Sequence, residues 1–324
     1  MPTVEPPRKK KLPKVTDLDT QVTLLTHPEE NPTHYEPFVD AKTYAFDPAP
    51  DRLTRVNAWW LAEAAWLSYG HSNDDIKTVY KTQTGLQAEL VTASTGTKGT
   101  DFTIATNGTF AIVAFRGTQP DEWDDIFSDL NWFPKPWDVG HVHAGFAEAF
   151  EGAWQKELKD RLDRLPPGCA VWFTGHSLGA AIATLAAMRV KKPAGMCTFG
   201  SPLVGNQVFS GEFNMKFGNL SRRYVNDFDL VTRVPPDRIL FPFVGHYTHV
   251  DVLRWIDRDG NIGVTATSPP SFFLDVFGDP RIVLQLMKQS RDLGLQSLPN
   301  ALQDHTPLYY LIHVWNDFVA HFLD

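Results

Sequence analysis

Residues 169–187 read CAVWFTGHSLGAAIATLAA, and the rest of the chain is interpreted outward from them. An apolar run rich in β-branched and aromatic residues stops at Gly175, and an alanine-rich helical pattern starts after Ser177. A strand, a sharp turn and a helix therefore follow one another, with a single serine at the apex.

The apex carries the pattern G-x-S-x-G, written here as Gly175, His176, Ser177, Leu178 and Gly179. Small residues on both sides let a strand and a helix approach closely while the turn exposes the hydroxyl, which is the nucleophile elbow of α/β-hydrolases. Three fixed positions recur by chance in about one random chain of this length in ten, given the usual glycine frequency. The strand-to-helix context, more than the pattern itself, makes Ser177 the candidate nucleophile.

The chain has 324 residues, 43% of them hydrophobic, enough for a sizeable core in one main domain. A net charge of −8 argues against a general affinity for nucleic acid, and no apolar run approaches the roughly 20 residues of a membrane span. Cys169 and Cys197 both read as buried free thiols. Arg8, Lys9, Lys10, Lys11 and Lys14 are not followed by an apolar core, so no secretory signal is read and cytoplasmic residence is expected of the sequence as written, with secretion if a leader is missing. No metal cluster or phosphate loop appears, so neither a metal nor an organic cofactor is expected.

Residues 1–50 are punctuated by proline and charge and are expected to form an extended arm on the domain, disordered over the first 15 or so. Residues 51–324 then form the folded domain. The run NAWWLAEAAWLSY at 57–69 spaces Trp59, Ala62, Trp66 and Tyr69 as a buried helix. Strands are expected at 101–106 and 109–115, joined at Asn107-Gly108 by a type I′ turn. A long helix over 145–165, short strands at 196–199 and 223–225, and the elbow between them give a β-α-β-α-β alternation and hence a mostly parallel sheet flanked by helices. A second hairpin is expected from 247–255 and 263–266 around Asp259-Gly260, and apolar helical patterns cover 272–287 and 308–322.

A serine hydroxyl needs a histidine base, and the base needs an acid to hold its tautomer. In α/β-hydrolases these follow in the order serine, acid, histidine. With the acid after the strand at 223–225, that order leaves His246, His249, His305, His313 and His321 of the eleven histidines. His305 stands out because Asn300, Gln303, Asp304 and Pro307 place it on a loop. Asp227 and Asp229 both follow the strand, and the residues alone do not separate them. For the oxyanion, the Leu178 N–H supplies one donor, and Thr118, after the strand ending at Phe115, is placed for the second.

Six motifs in order carry a more specific resemblance: FRGT (115–118), HAGF (143–146), GHSLGAA (175–181), GSPLVGN (200–206), NDFDLVTRVPP (226–236) and DHTPLYY (304–310). The chain resembles the class 3 lipases, the family of the filamentous-fungal triacylglycerol lipases and their bacterial relatives. The resemblance implies an α/β-hydrolase fold, Ser177 as nucleophile, Asp229 as acid, His305 as base, and Thr118 with Leu178 as oxyanion donors. It also implies a lid in QPDEWDDIFSDLNWF (119–133), where Trp123, Ile126, Phe127 and Leu130 form an apolar face opposite Asp121, Asp124, Asp125 and Asp129. The alternative for that segment is a helix packed down permanently.

His143 is similar to a histidine the family retains near the elbow, and reads as structural support. Lacking an evident leader or disulfide, the chain looks closer to bacterial or intracellular members. Residues 268–300 have no counterpart in the resemblance and read as added core, the alternative being an extra helix lining the acyl groove. The implied activity is hydrolysis of medium- or long-chain acylglycerol esters, with lipid, at an oil–water interface for example, as the partner. Runner-up readings are a phospholipase or feruloyl-type esterase on the same scaffold, and a hydrolase-fold protein that binds lipid without turnover.

Overall fold

A computed structural model describes residues 6–15, 17–30, 33–69, 71–95, 98–117, 133–234, 246–263 and 303–322. The strands are β1 (Gln87–Thr95), β2 (Lys98–Thr106), β3 (Phe110–Phe115), β4 (Pro134–Pro136), β5 (His141–His143), β6 (Ala170–His176), β7 (Gly195–Phe199), β8 (Gly205–Asn206), β9 (Ser221–Asn226), β10 (Tyr247–Thr248), β11 (Leu253–Ile256) and β12 (Ile262–Gly263). The helices are α1 (Leu18–Thr26), α2 (Arg55–Leu67), α3 (Asn73–Val79), α4 (Ala144–Ala153, extended by a wider turn at Trp154–Leu158 and a last stretch at Lys159–Asp163), α5 (Leu178–Arg189), α6 (Gln207–Phe217) and α7 (Pro307–Ala320).

Among the described residues, eight strands form one sheet in the order β1-β2-β3-β6-β7-β9-β11-β12. The five central strands, β3, β6, β7, β9 and β11, run parallel, and the outer pairs at both edges are antiparallel. Because helices cover both faces, the central strands are apolar on both sides and alternate between two cores. Ile112, Ala114, Trp172, Cys197 and Phe199 face the core of α2 and α7, whereas Val113, Phe115, Val171, Phe173 and Met196 face that of α4, α5 and α6. Phe173 is fully buried, so Phe173→Ala would cost on the order of 3–5 kcal/mol. The fold is the mostly parallel, helix-flanked α/β-hydrolase architecture.

α2 is buried without interruption from Asn57 to Leu67, which explains the near absence of polar residues in its sequence. Its two polar insertions are paired: Asn57 exchanges hydrogen bonds with the Asp47 backbone (2.9 and 2.7 Å), and Glu63 accepts from Trp59 and Tyr35. α5 is buried over Gly179–Ala187 because alanine and glycine let its axis lie close to the sheet.

Four local expectations are corrected. The β2–β3 connection is a three-residue loop in which Gly108 alone takes positive φ (+86°), and Asn107 Oδ1 accepts from the Thr109 and Phe110 N–H groups, replacing the type I′ turn. The expected strand 247–255 divides: Tyr247–Thr248 joins a small antiparallel sheet ordered β10-β8-β5-β4, and only Leu253–Ile256 pairs with β12. Cys169 is half-buried rather than buried, while Cys197 lies fully inside; both are free.

The fourth correction concerns the N-terminal arm. Residues 6–15 run along α7, where Lys10 and Asn316 exchange two hydrogen bonds (2.8 and 2.9 Å) and Trp315 Nε1–H donates to the Arg8 carbonyl (2.8 Å). Beyond it, Asp17 caps α1 through the Thr20 N–H, where no helical periodicity is legible in sequence.

Candidate active site

The elbow follows from the close approach of three backbones. Ser177 sits between β6 and α5 at φ +57°, ψ −129°, a conformation non-glycine residues adopt only when the surrounding structure forces it. A Cβ at Gly175 would lie 2.4 Å from the Gly179 backbone, and one at Gly179 would lie 2.2 Å from the Phe115 carbonyl oxygen. Both glycines of G-x-S-x-G are therefore required by contact with backbone that does not yield. The Ser177 N–H is tied to the Phe199 carbonyl (3.0 Å), aligning the apex with the carboxyl end of β7.

Asp229 and His305 meet at that same end. Asp229 follows β9 and is 0% exposed; His305 precedes α7 and is 1% exposed. His305 Nδ1–H donates to Asp229 Oδ2 (2.8 Å), which also accepts from the Tyr310 hydroxyl (2.5 Å), while Asp229 Oδ1 accepts from the Val231 N–H (2.9 Å). Gly200, at φ +58°, closes the space beside the pair: a Cβ there would lie 2.8 Å from Asp229 Oδ2 and 2.9 Å from the His305 ring. That contact accounts for the glycine opening the GSPLVGN motif.

Geometry separates the two aspartates left open by the strand pattern. His305 pairs with Asp229, whereas Asp227 accepts from Arg258 Nε (3.0 Å), a side chain 68% exposed. The loop bearing His305 is fastened to the loop bearing Asp229 through Asp304, whose Oδ2 accepts from the Phe228 N–H (3.1 Å) and whose carbonyl accepts from Asn226 Nδ2 (3.0 Å). Burial, followed by the charges of Asp227 and Asp229, pushes the Asp304 carboxyl up to about 7.

Of the other predicted residues, Leu178 is the first residue of α5, and its N–H is one of the first four of that helix, which have no acceptor within it. Thr118 and the lid residues Trp123, Ile126, Phe127 and Leu130 lie outside the described residues, as does the segment 268–300. His143 is fully buried, its Nδ1 accepts from the Phe146 N–H at the start of α4 (3.4 Å), and burial drives it down to about 3. His249, His313 and His321 do not join the site in any contact seen among the described residues; His313 lies beside Gly260 and is pushed down to about 4 by burial.

Two tyrosines belong to the site and escape the sequence reading. Tyr310 binds Asp229 and accepts from the Asn226 N–H (2.9 Å), and Tyr69, read only as a core aromatic, hydrogen-bonds His176 (2.6 Å). Tyr310 lies in the DHTPLYY motif, so its position was visible although its partner was not. Nothing near Tyr69 in the sequence signals its partner.

The comparisons with known proteins bear on the family and the fold. A family model described as Lipase (class 3) matches residues 112–239. That stretch of the chain matches the class 3 lipase family. Its matched region takes in the elbow and Asp229 and ends before His305, which reaches the site through the fold. The secreted mono- and diacylglycerol lipase 1 of Fusarium solani is 36% identical over 121 residues, covering 36% of this chain and 34% of that protein. The chloroplastic phospholipase A(1) DAD1 of Arabidopsis thaliana is 50% identical over 72 residues, 20% of this chain and 16% of that one. The chain thus spans about a third or less of the length of these two relatives. The solved triacylglyceride lipase of Rhizomucor miehei superposes with a TM-score of 0.51 at 22% identity, covering 68% of this chain and 88% of that structure, and so shares its fold. Among the described residues no helix is long and apolar enough to cross a membrane, and no group of His, Cys, Asp and Glu is arranged to hold a metal ion.

Proposed function

We propose that this chain is a class 3 lipase, a serine carboxylic ester hydrolase cleaving medium- and long-chain acylglycerol esters through an acyl-Ser177 intermediate. The observation that carries the reading is the buried His305–Asp229 hydrogen bond of 2.8 Å, held at the carboxyl edge of the sheet beside the strained elbow. In this reading His305 Nε2 takes the Ser177 hydroxyl proton as Oγ attacks the ester carbonyl carbon. Asp229 holds Nδ1–H in place and stabilises the imidazolium that forms. The Leu178 N–H, with Thr118 as second donor, receives the charge that develops on the carbonyl oxygen. His305 then returns the proton to the departing alcohol, and a water activated by the same histidine releases the acid and restores Ser177. The apolar face of Trp123, Ile126, Phe127 and Leu130 serves as the lid over the acyl chain.

The test is covalent labelling by a fluorophosphonate together with hydrolysis of nitrophenyl esters from acetyl to palmitoyl. Wild type reacts, and its rates peak at medium or long chains; Ser177→Ala abolishes labelling and turnover. Substantial esterase activity in Ser177→Ala would refute the nucleophile. A second reading, hydrolysis of phospholipid acyl esters, is favoured by the identity with the Arabidopsis phospholipase segment, and a phosphatidylcholine substrate in the same panel distinguishes it.

A further inference from the structure

The residue before the nucleophile, His176, projects into the protein and is 3% exposed. One ring nitrogen, Nε2, lies 2.8 Å from the His305 carbonyl oxygen; the other, Nδ1, lies 2.6 Å from the Tyr69 hydroxyl. A carbonyl oxygen only accepts, so Nε2 carries the proton toward His305. Burial first, and then the neighbouring His305, hold His176 well below the usual histidine range, so the ring is neutral at pH 7 and carries no second proton. Nδ1 is therefore the acceptor, and the Tyr69 hydroxyl donates to it. The direction of both hydrogen bonds is determined: tyrosine to histidine to the backbone of residue 305.

The same two residues bear on the strand that leads to Thr118. A Cβ at Gly117 would lie 2.2 Å from the Tyr69 hydroxyl and 2.7 Å from the His176 carbonyl oxygen. The chain before the proposed second oxyanion donor thus packs directly on the pair. The His176 ring also contacts the rings of His305 (4.4 Å between centroids) and Tyr310 (5.7 Å), the latter bonded to Asp229. The groups facing His176 from the surrounding elements are therefore Tyr69, His305 and Tyr310, with Asp229 behind His305.

We propose that Tyr69 and His176 form a positioning relay, in which Tyr69 O–H to His176 Nδ1 and His176 Nε2–H to the His305 carbonyl set the distance between the base and the elbow. The inference rests on the reading of His305 as base. Residue 176 is covalently adjacent to the nucleophile, and its side chain holds the backbone of a residue 129 positions away. Displacement of the base by less than an ångström is enough to lower turnover, because reacting groups must be held near attack geometry. A neutral ring suits the position: when His305 accepts the serine proton, no second cation lies against it.

The experiment uses the full chain with Tyr69→Phe, His176→Leu, His176→Gln and the Tyr69→Phe/His176→Leu double variant. His176→Leu removes the donor to His305 and should lower kcat by about 10- to 100-fold with KM within twofold, since the relay touches the base rather than substrate. His176→Gln keeps an N–H where Nε2 was and should restore kcat to within about threefold of wild type. Tyr69→Phe should lower kcat by about three- to tenfold, and the double variant should match His176→Leu, because Tyr69 acts through His176. The acid limb of kcat/KM against pH persists in His176→Gln, as titration of a base other than His176 requires.

Wild-type kcat in His176→Leu, equal loss in the Gln and Leu variants, multiplicative loss in the double variant, or disappearance of the acid limb in His176→Gln each overturns the relay. Should His176→Leu fail to fold, Tyr69→Phe and His176→Gln decide the matter: an unchanged kcat in Tyr69→Phe overturns the relay. Fluorophosphonate labelling separates the two levels. A wild type that is not labelled overturns the proposed function and the relay with it, whereas a labelled wild type whose variants react at the same rate overturns the relay alone.

Discussion

Asp229 and Glu63 are both carboxylates at 0% exposure, one at the sheet's carboxyl edge and one in the middle of α2, and their surroundings differ in kind. Asp229 has directed donors on both oxygens: the Val231 N–H on Oδ1, and His305 and Tyr310 on Oδ2. Glu63 receives the Trp59 indole N–H (2.9 Å) and the Tyr35 hydroxyl (2.7 Å) on the same oxygen. The cation acting on Glu63, Lys10 of the N-terminal arm, is itself bound to the Tyr35 hydroxyl (3.1 Å) and to Asp40 (3.2 Å), and lies over the Tyr35 and Trp315 rings. Burial prevails over these contacts and pushes the Glu63 carboxyl up to about 7. Donor arrangement therefore differs between two equally buried carboxylates: donors reach both oxygens of Asp229, whereas the Trp59 and Tyr35 donors share one oxygen of Glu63.

The largest test of that contrast is Asp229→Asn. Loss of a triad acid can cost about 10⁴-fold in kcat, and that is the drop expected here, whereas Glu63→Gln should leave kcat within about twofold. Steady-state kinetics on one chromogenic ester measures both, and comparable losses would erase the distinction.

Next comes the stability of Glu63→Gln. A carboxyl raised from 4.5 to about 7 in the folded protein is protonated in the fold and charged in the unfolded chain between those values. Its contribution is fully present below about pH 4.5 and is lost as pH rises through 7, a swing of roughly 3 kcal/mol by linkage. Glutamine keeps the acceptor for Tyr35 and Trp59 without that loss, so the variant should gain on wild type as pH goes from 5 to 8. Urea midpoints at those two pH values measure it, and a pH-independent difference would show that Glu63 does not titrate in the fold.

Tyr310→Phe should be smaller, about tenfold in kcat, because it removes one of three donors to Asp229 and leaves the others in place. It also deprives the Asn226 N–H of its acceptor, which should lower stability by about 1–2 kcal/mol. An unchanged kcat would mean that His305 and Val231 suffice to orient the carboxylate. The smallest effect belongs to Asp227→Asn, less than about threefold in kcat, since its partner Arg258 is solvent-exposed and such pairs contribute about 0–1 kcal/mol. A larger loss there than in Asp229→Asn would reassign the acid.

Much of this was legible in the chain. The elbow and the strands on either side of it follow from local pattern, because a buried parallel strand and an alanine-rich helix each show in their own residues. The β2–β3 turn departs from the type I′ expectation because the Asn107 side chain bonds to the Thr109 and Phe110 N–H groups, which the dipeptide alone does not show. Composition alone implies an extended arm with disorder over its first 15 or so residues, because they supply no core; residues 8 and 10 are instead held by Trp315 and Asn316, some 300 residues away. Cys169 was read as buried because it adjoins an apolar strand, yet it precedes the first residue of β6, at the rim of the sheet.

By itself the sequence determined that a serine stands at a strand-to-helix turn bounded by two glycines, that a parallel sheet surrounds it, and that a loop histidine follows late in the chain. The six-motif resemblance implied Asp229 as the acid, and only the tertiary structure decided that His305 meets it, that Tyr310 shares that carboxylate, and that Tyr69 and His176 reach the histidine from behind. The division has a physical cause. Periodicity and steric demand act between residues a few positions apart, whereas a hydrogen bond across 76 or 129 positions exists only once packing has brought its donor and acceptor within 3 Å.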